Sequence, residues 1–168
     1  MLAVKKAAKL SCIAIALAVC SLDLSAADPV SEVAALHAVD QVWVKAYNSG
    51  DVDAVVSLYA EQAVLLPPGA PSADGRDAIR AFFKKNIAAS AQDGVKFSLG
   101  AKPDGGVSGD MGWASGTYAV QDKSGHVVDT GKYLSVSRKT AGKWLYVRDT
   151  WNSDTPPVAA EPAPPAKK

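Results

Sequence analysis

The spacing of apolar residues changes once along this chain, at Gly94, and that change restricts the possible folds most strongly. Before Gly94, apolar residues recur every three or four positions, which predicts amphipathic helices. After Gly94, they alternate with polar residues, which predicts strands. Helices followed by a run of strands favour an α+β domain with an antiparallel sheet over an architecture of alternating strands and helices.

Three helices are predicted before this change, at residues 30–49, 52–59 and 75–90. Gly50 suits the left-handed position that follows a helix, and Asp51 can cap the second helix. A short apolar strand at 63–66 separates the second helix from the third. It ends at Pro67, because proline cannot donate a hydrogen bond to a sheet.

Four strands are predicted after Gly94, at residues 95–99, 113–120, 127–138 and 143–152. Turn signals at 124–125 and 141–142 indicate hairpin connections between them. From Thr155 onward the chain is rich in Pro and Ala, which predicts a flexible tail over residues 155–168. One domain is therefore expected over residues 28–154.

The N-terminal segment has the layout of a bacterial signal peptide. Lys5, Lys6 and Lys9 precede an apolar run over residues 10–19, and small residues precede a predicted cut after Ala27. This layout predicts a periplasmic or secreted protein that has no membrane association after cleavage. Two alternatives stay open: an uncleaved anchor, and a lipoprotein attached through Cys20, since residues 17–20 resemble a lipobox.

Cleavage after Ala27 changes both the charge and the chemistry of the chain. It leaves 15 basic and 16 acidic residues, and no basic cluster that would indicate a nucleic-acid partner. Cys12 and Cys20 leave with the signal, so no disulfide or thiol nucleophile is expected. His37 and His126 are the only histidines, which gives no visible metal-ligand set. We therefore predict no cofactor and no metal site.

Several short motifs occur in order over residues 30–153. They are WVKA at 43–46 with GD at 50–51, LYA at 58–60, GRDAI at 75–79 with FF at 82–83, GTY at 116–118, GKY at 131–133, and GKW at 142–144 with DTWN at 149–152. Together they resemble the ketosteroid-isomerase-like, or nuclear transport factor 2-like, superfamily, and within it an exported branch of unknown function near the SnoaL-like proteins. The resemblance implies a cone of three N-terminal helices on a curved antiparallel sheet, with an apolar cavity. It also implies a homodimer through the outer sheet face.

The isomerase chemistry of that superfamily needs a carboxylate base and two hydrogen-bond donors to an oxyanion. Aligned on this sequence, the tyrosine position falls on Trp43, the base on Pro67 and the acid on Leu134. Proline and leucine side chains cannot transfer protons. The resemblance therefore implies that standard ketosteroid isomerase activity is absent.

Two other carboxylates are candidate catalytic residues. Asp149 shares strand parity with Trp151, and Asp40 lies one helical turn before Trp43. A carboxylate in an apolar cavity has a raised pKa and can act as a base, but it can equally be a structural carboxylate. His37 can meet Asp40 on the first helix, where a hydrogen-bonded surface pair is the simpler interpretation. Ser135 lacks the motif of a serine hydrolase.

The predicted ligand pocket is mostly aromatic, consisting of Trp43, Tyr47, Tyr59, Phe83, Tyr118, Leu134 and Trp151. Trp144, Tyr146 and Arg148 have the opposite strand parity to Trp151, which assigns them to the outer face and a dimer interface. Core packing is the alternative explanation for about half of the aromatic residues.

Three functions remain open from the sequence. The first is an exported domain that binds an apolar or amphipathic small molecule. The second is a SnoaL-like or isomerase-like enzyme that uses Asp149 or Asp40 as general base. The third is a structural or protein-interaction domain.

Overall fold

The computed structural model describes residues 28–156, which form three helices and seven strands. In chain order these are α1 (Pro29–Ser49), α2 (Val52–Ser57), β1 (Tyr59–Leu66), β2 (Ala73–Asp74), α3 (Gly75–Asp93), β3 (Lys96–Leu99), β4 (Asp104–Ser108), β5 (Met111–Gln121), β6 (Val127–Thr140) and β7 (Lys143–Ser153). The predicted signal peptide, Cys20 and the tail from residue 157 lie outside the described residues. Within residues 28–156, no helix has the length and apolarity needed to cross a bilayer.

The ends of α1 and α2 follow from their capping residues. Asp28 accepts a hydrogen bond from the Val30 amide at the start of α1. Gly50 ends α1 with a φ of 81°, a left-handed conformation that costs glycine little. The Asp51 side chain then accepts a hydrogen bond from the Ala54 amide and caps the start of α2.

The three helices pack on one face of a curved, open sheet, which confirms the predicted α+β fold class. The strand order is β2-β1-β7-β6-β5-β3, with β4 also paired to β5. The sheet is mixed rather than fully antiparallel, because β1 runs parallel to β7. β1 and β7 are far apart in sequence, so no hairpin turn fixes whether they run parallel or antiparallel. Turn signals alone could therefore not predict this pair.

The main differences from the predicted elements are an earlier start of β1 and two short strands that were not predicted. Tyr59 is the first residue of β1, not the last of the second helix, and it is fully buried. The two-residue strand β2 and the glycine-containing strand β4 were not predicted. Their sequences lack the alternation of apolar and polar residues that identifies a half-buried strand.

A β-bulge in β7 reverses the sidedness predicted for Trp144 and Tyr146. Val136 of β6 pairs with Arg148, but the next residue, Ser137, pairs with Tyr146, so Val147 has no partner on β6. One extra residue in a strand moves every side chain on one side of the bulge to the opposite face of the sheet. Trp144 and Tyr146 are therefore buried on the helix-covered inner face and do not form an outer interface.

Arg148 is exposed on the outer face, as predicted, and Asp149 and Trp151 face inward beyond the bulge. The bulge thus brings residues of both strand parities, Tyr146 and Asp149, to the same side of the sheet. Regular alternation would have separated them.

Candidate functional site

A cavity of about 110 Å³ lies between the helices α1 and α3 and the inner face of the sheet. Most of its wall is aromatic or aliphatic, and its polar groups come from α1, α3, β6 and β7. The lining residues are Asp40, Trp43, Val44, Tyr47, Phe83, Asn86, Phe97, Leu99, Tyr118, Tyr133, Ser135, Tyr146, Asp149 and Trp151. An apolar hollow with a few convergent polar groups is typical of a small-molecule site.

Two Gly-x-Tyr motifs shape the sheet side of this cavity. Gly116 on β5 pairs with Tyr133 on β6, and Tyr118 on β5 pairs with Gly131 on β6. A Cβ atom on Gly116 would lie 2.8 Å from the Tyr133 ring, and one on Gly131 would lie 2.4 Å from the Tyr118 ring. Each tyrosine ring therefore lies over the glycine of the opposite strand, which explains why the motifs occur twice.

Asp149 faces the cavity from β7 and has one side-chain donor. The Tyr59 hydroxyl donates to Asp149 Oδ2 at 2.5 Å, and the Trp43 indole N–H donates to the same hydroxyl at 3.1 Å. Burial raises the pKa of Asp149 to about 6; the hydrogen bond from Tyr59 opposes this rise and the charge of Asp40 adds to it. Such a carboxyl group changes its protonation state near neutral pH and can exchange a proton with a bound molecule.

Asp40 lines the same cavity from α1 and is 5% exposed. Tyr146 donates to its Oδ1 at 2.6 Å and Tyr133 to its Oδ2 at 3.1 Å. Burial raises the pKa of Asp40, and the two tyrosine hydrogen bonds partly offset this effect. Because each oxygen already accepts a hydrogen bond, Asp40 is strongly tied to the sheet.

His37 approaches Asp40 from one helical turn earlier, with 3.8 Å between Nδ1 and Oδ2. This distance is too long for a hydrogen bond, and the buried Nδ1 atom has no partner among the described residues. The ring lies against the backbone of β4, where a Cβ atom on Gly105 would lie 3.2 Å from it. The predicted His37–Asp40 pair is thus close but not bonded.

The predicted pocket residues Trp43, Tyr47, Phe83, Tyr118 and Trp151 all lie on the cavity wall. Trp43 stacks on Tyr47 with 4.9 Å between ring centroids, and Phe83 meets Trp43 edge-on at 5.7 Å. The Tyr47 hydroxyl is held by Asn86 and Ser90 of α3. These contacts fix the orientation of the aromatic wall.

Two predicted pocket residues are not on the wall. Tyr59 is fully buried behind it and contributes only through its hydroxyl group on Asp149. Leu134 is 45% exposed on the outer face, because side chains alternate along β6 and its neighbours Tyr133 and Ser135 point inward. Leu134 therefore does not line the cavity, contrary to the prediction.

Several lining residues were not predicted. Tyr146 was missed because of the bulge, and Tyr133 because Leu134 was assigned inward in its place. Asn86 lies one helical turn after Phe83 on α3, so its spacing could have indicated it. Phe97 and Leu99 lie two residues apart in the predicted first strand after Gly94. This spacing places them on one face of the strand and could have indicated that they share the cavity wall.

No group of three or more His, Cys, Asp or Glu side chains suited to a metal ion occurs within residues 28–156. His126 is highly exposed in the β5–β6 turn, near Asp122. Ser137 is buried, and its hydroxyl has no hydrogen-bond partner within residues 28–156, so no described base activates it as a nucleophile.

The sequence matches the SnoaL-like domain family over residues 41–147, which is more than half of the chain. The protein belongs to the SnoaL-like domain family. No curated protein sequence gives a significant match to the chain.

The SnoaL-like domain is also similar to several crystal structures. A ketosteroid isomerase-like protein from Erwinia carotovora atroseptica is 25% identical, with a TM-score of 0.56 over 74% of this chain and 98% of that one. An NTF2-like protein with a cystatin-like fold from Novosphingobium aromaticivorans is 24% identical, with a TM-score of 0.63 over 70% and 79%. An NTF2-like protein of unknown function from Pseudomonas putida is 16% identical, with a TM-score of 0.65 over 73% and 86%. The last two likenesses concern the fold alone.

Proposed function

We propose that this SnoaL-like domain binds a small, mostly apolar molecule that carries one polar group. The observation that carries the proposal is the cavity of about 110 Å³, whose aromatic wall surrounds the carboxyl group of Asp149. Closing such a cavity over an apolar ligand removes ligand and wall from water, and Asp149 would orient the polar end.

A cavity-filling substitution tests this proposal. Ser135 lies on the inner face opposite Asp149, whereas Ser115 lies on the neighbouring strand and faces outward beside Leu134. We expect Ser135→Leu to abolish the rise in melting temperature that small aromatic compounds cause, because ligand binding stabilises the native state. Ser115→Leu should retain the rise. An equal response of the two variants would contradict binding in this cavity.

A second function, proton-transfer catalysis, is favoured by the 2.5 Å contact between Tyr59 and Asp149. Asp149 would act as the general acid or base, and Tyr59 would be a positioning residue that holds its carboxyl group. For any substrate that is turned over, we expect Asp149→Asn to lower kcat by about 10²- to 10⁴-fold. Tyr59→Phe should move the pH–rate profile to higher pH, since it removes a hydrogen bond that lowers the pKa of Asp149. Unchanged turnover in Asp149→Asn would exclude this role.

Export is the proposed cellular context. The supporting observation is the signal-peptide layout of residues 1–27. Expressed in a bacterial host, the exported protein should begin at Asp28, as measured by intact mass and N-terminal sequencing. Incorporation of labelled palmitate that depends on Cys20 would instead support the lipoprotein alternative.

A homodimer through the outer face of the sheet is also proposed, with a revised set of residues. Trp113 and Leu134 are 40% and 45% exposed there, and exposed large apolar groups on one face are typical of an interface. Leu134→Arg should convert a dimer to a monomer in sedimentation experiments. Val127→Arg, at an exposed position near the start of β6, is the control. A monomeric parent protein would contradict the proposal.

A further inference from the structure

The cavity wall is acidic as well as aromatic. Of the described residues that line it, Asp40 and Asp149 can carry negative charge, and none is Lys, Arg or His. Charges interact more strongly in a site shielded from water than at a surface. A negatively charged ligand would therefore be repelled by both carboxyl groups, with no basic group to offset the repulsion.

The two carboxyl groups are not equally available to a ligand. Both oxygens of Asp40 already accept tyrosine hydroxyls, from Tyr146 and Tyr133. Asp149 accepts one side-chain hydrogen bond, from Tyr59 on Oδ2, and the backbone amide of Thr150 also stabilises its ionised form. Because an ionised carboxylate has about four acceptor positions, Asp149 retains capacity for an N–H donor from a ligand.

The aromatic rings around Asp149 suit the same kind of ligand. Trp43, Trp151, Phe97 and Tyr118 all line the cavity. The ring centroids of Phe97 and Tyr118 are 5.9 Å apart. The faces of aromatic rings carry partial negative charge and attract ammonium groups, most strongly in sites that exclude water. The aromatic wall and the carboxylate of Asp149 thus both favour a positively charged ligand.

We propose that this cavity selects a small organic cation, an amine with one apolar group, and that Asp149 is its counter-ion. This inference rests on the proposed ligand-binding function and specifies the class of ligand. The apolar group would lie among the aromatic rings, and the ammonium group would donate to Asp149.

The size of the cavity defines suitable probes. A cavity of about 150 Å³ is known to hold benzene, so a cavity of about 110 Å³ limits the ligand to at most one aromatic ring with a short substituent. Benzylammonium, benzyl alcohol and benzoate share one carbon frame and differ in charge. Their affinities therefore report on charge selection rather than on shape.

The experiment is a titration of the purified protein with each probe, followed by NMR of backbone amides. At about pH 7.5, where Asp149 is ionised, we expect benzylammonium to bind at least about tenfold more tightly than benzyl alcohol, and benzoate to bind most weakly. The preference should shrink at about pH 5, since Asp149, with its pKa of about 6, is then mostly protonated. The other titratable groups in or near the cavity are Asp40, His37 and five tyrosines: Tyr47, Tyr59, Tyr118, Tyr133 and Tyr146. The tyrosine hydroxyls stay protonated over this range because burial raises the pKa of each.

Substitutions then locate the selection. Asp149→Asn should remove the preference for benzylammonium over benzyl alcohol, because the carboxylate charge is lost while the aromatic wall persists. Asp110→Asn, which removes the same charge from an exposed turn, should leave the preference unchanged.

The outcomes separate the two proposals. Binding of benzyl alcohol with equal or weaker binding of benzylammonium would overturn the cation inference and leave the ligand-binding function intact. Tightest binding by benzoate would do the same. If none of the three probes shifts the resonances of residues on the cavity wall, the ligand-binding function fails as well.

Discussion

Asp40 and Asp149 belong to two regions of one cavity that treat the same chemical group differently. At the α1 end, Asp40 accepts hydroxyl groups from Tyr146 and Tyr133, which join the helix to β6 and β7. At the β7 end, Asp149 accepts one hydroxyl from Tyr59 and faces the aromatic wall. Burial raises the pKa of both carboxyl groups. The number of side-chain donors thus distinguishes an anchoring carboxylate from one that is available to a ligand.

The largest effect on stability is expected from Asp40→Ala. It leaves the buried hydroxyl of Tyr146 and that of Tyr133 without their acceptor, at about 1–3 kcal/mol each, so the free energy of unfolding should fall by about 4 kcal/mol. Urea denaturation at constant pH measures this change. Asp40→Asn, which keeps one acceptor oxygen, should lose about half as much. If Asp149→Ala costs as much as Asp40→Ala, the distinction between the two regions is wrong.

Asp149→Asn should instead raise the free energy of unfolding at neutral pH. The pKa of Asp149 is higher in the folded state than in the unfolded chain, so the folded protein binds the carboxyl proton more tightly. Protonated Asp149 therefore stabilises the fold at low pH, and this stabilisation is lost as the pH rises from about 4 through about 6. The change from 3.8 to about 6 corresponds to roughly 3 kcal/mol.

Relative to the parent protein, Asp149→Asn should therefore be equally stable near pH 4 and more stable, by up to roughly 3 kcal/mol, near pH 7.5. Denaturation curves of both proteins at several pH values provide the test. A variant that is less stable at every pH would show that Asp149 has a structural role like that of Asp40.

The smallest effects are expected from removing single tyrosine hydroxyls at the α1 end. Tyr146 is almost fully buried and donates at 2.6 Å, so Tyr146→Phe should cost about 2 kcal/mol. Tyr133 is partly exposed and donates at 3.1 Å, so Tyr133→Phe should cost about 1 kcal/mol or less. Thermal denaturation ranks the two. The reverse order would mean that Tyr133, not Tyr146, holds Asp40 in place.

The sequence predicted the fold class because its signals are local. The change of period at Gly94, the caps at Asp51 and Gly50, and the glycine turn at 141–142 depend on residues a few positions apart. Helical spacing and strand alternation showed which side chains share a face, and the resemblance to the superfamily implied that this face lines a cavity. Together they identified Asp40, Asp149 and most of the aromatic wall. Their chemical roles stay predictions.

Local signals could not determine how β7 meets its neighbours. The unpaired residue Val147 is visible only in the register between β6 and β7, and it decides that Tyr146 and Asp149 share one face. The parallel pairing of β1 with β7, which places Tyr59 behind Asp149, also joins residues far apart in sequence. Periodicity indicated the three helices and the longer strands. Strand register and long-range hydrogen bonds placed the carboxyl groups, because those depend on contacts that no short segment contains.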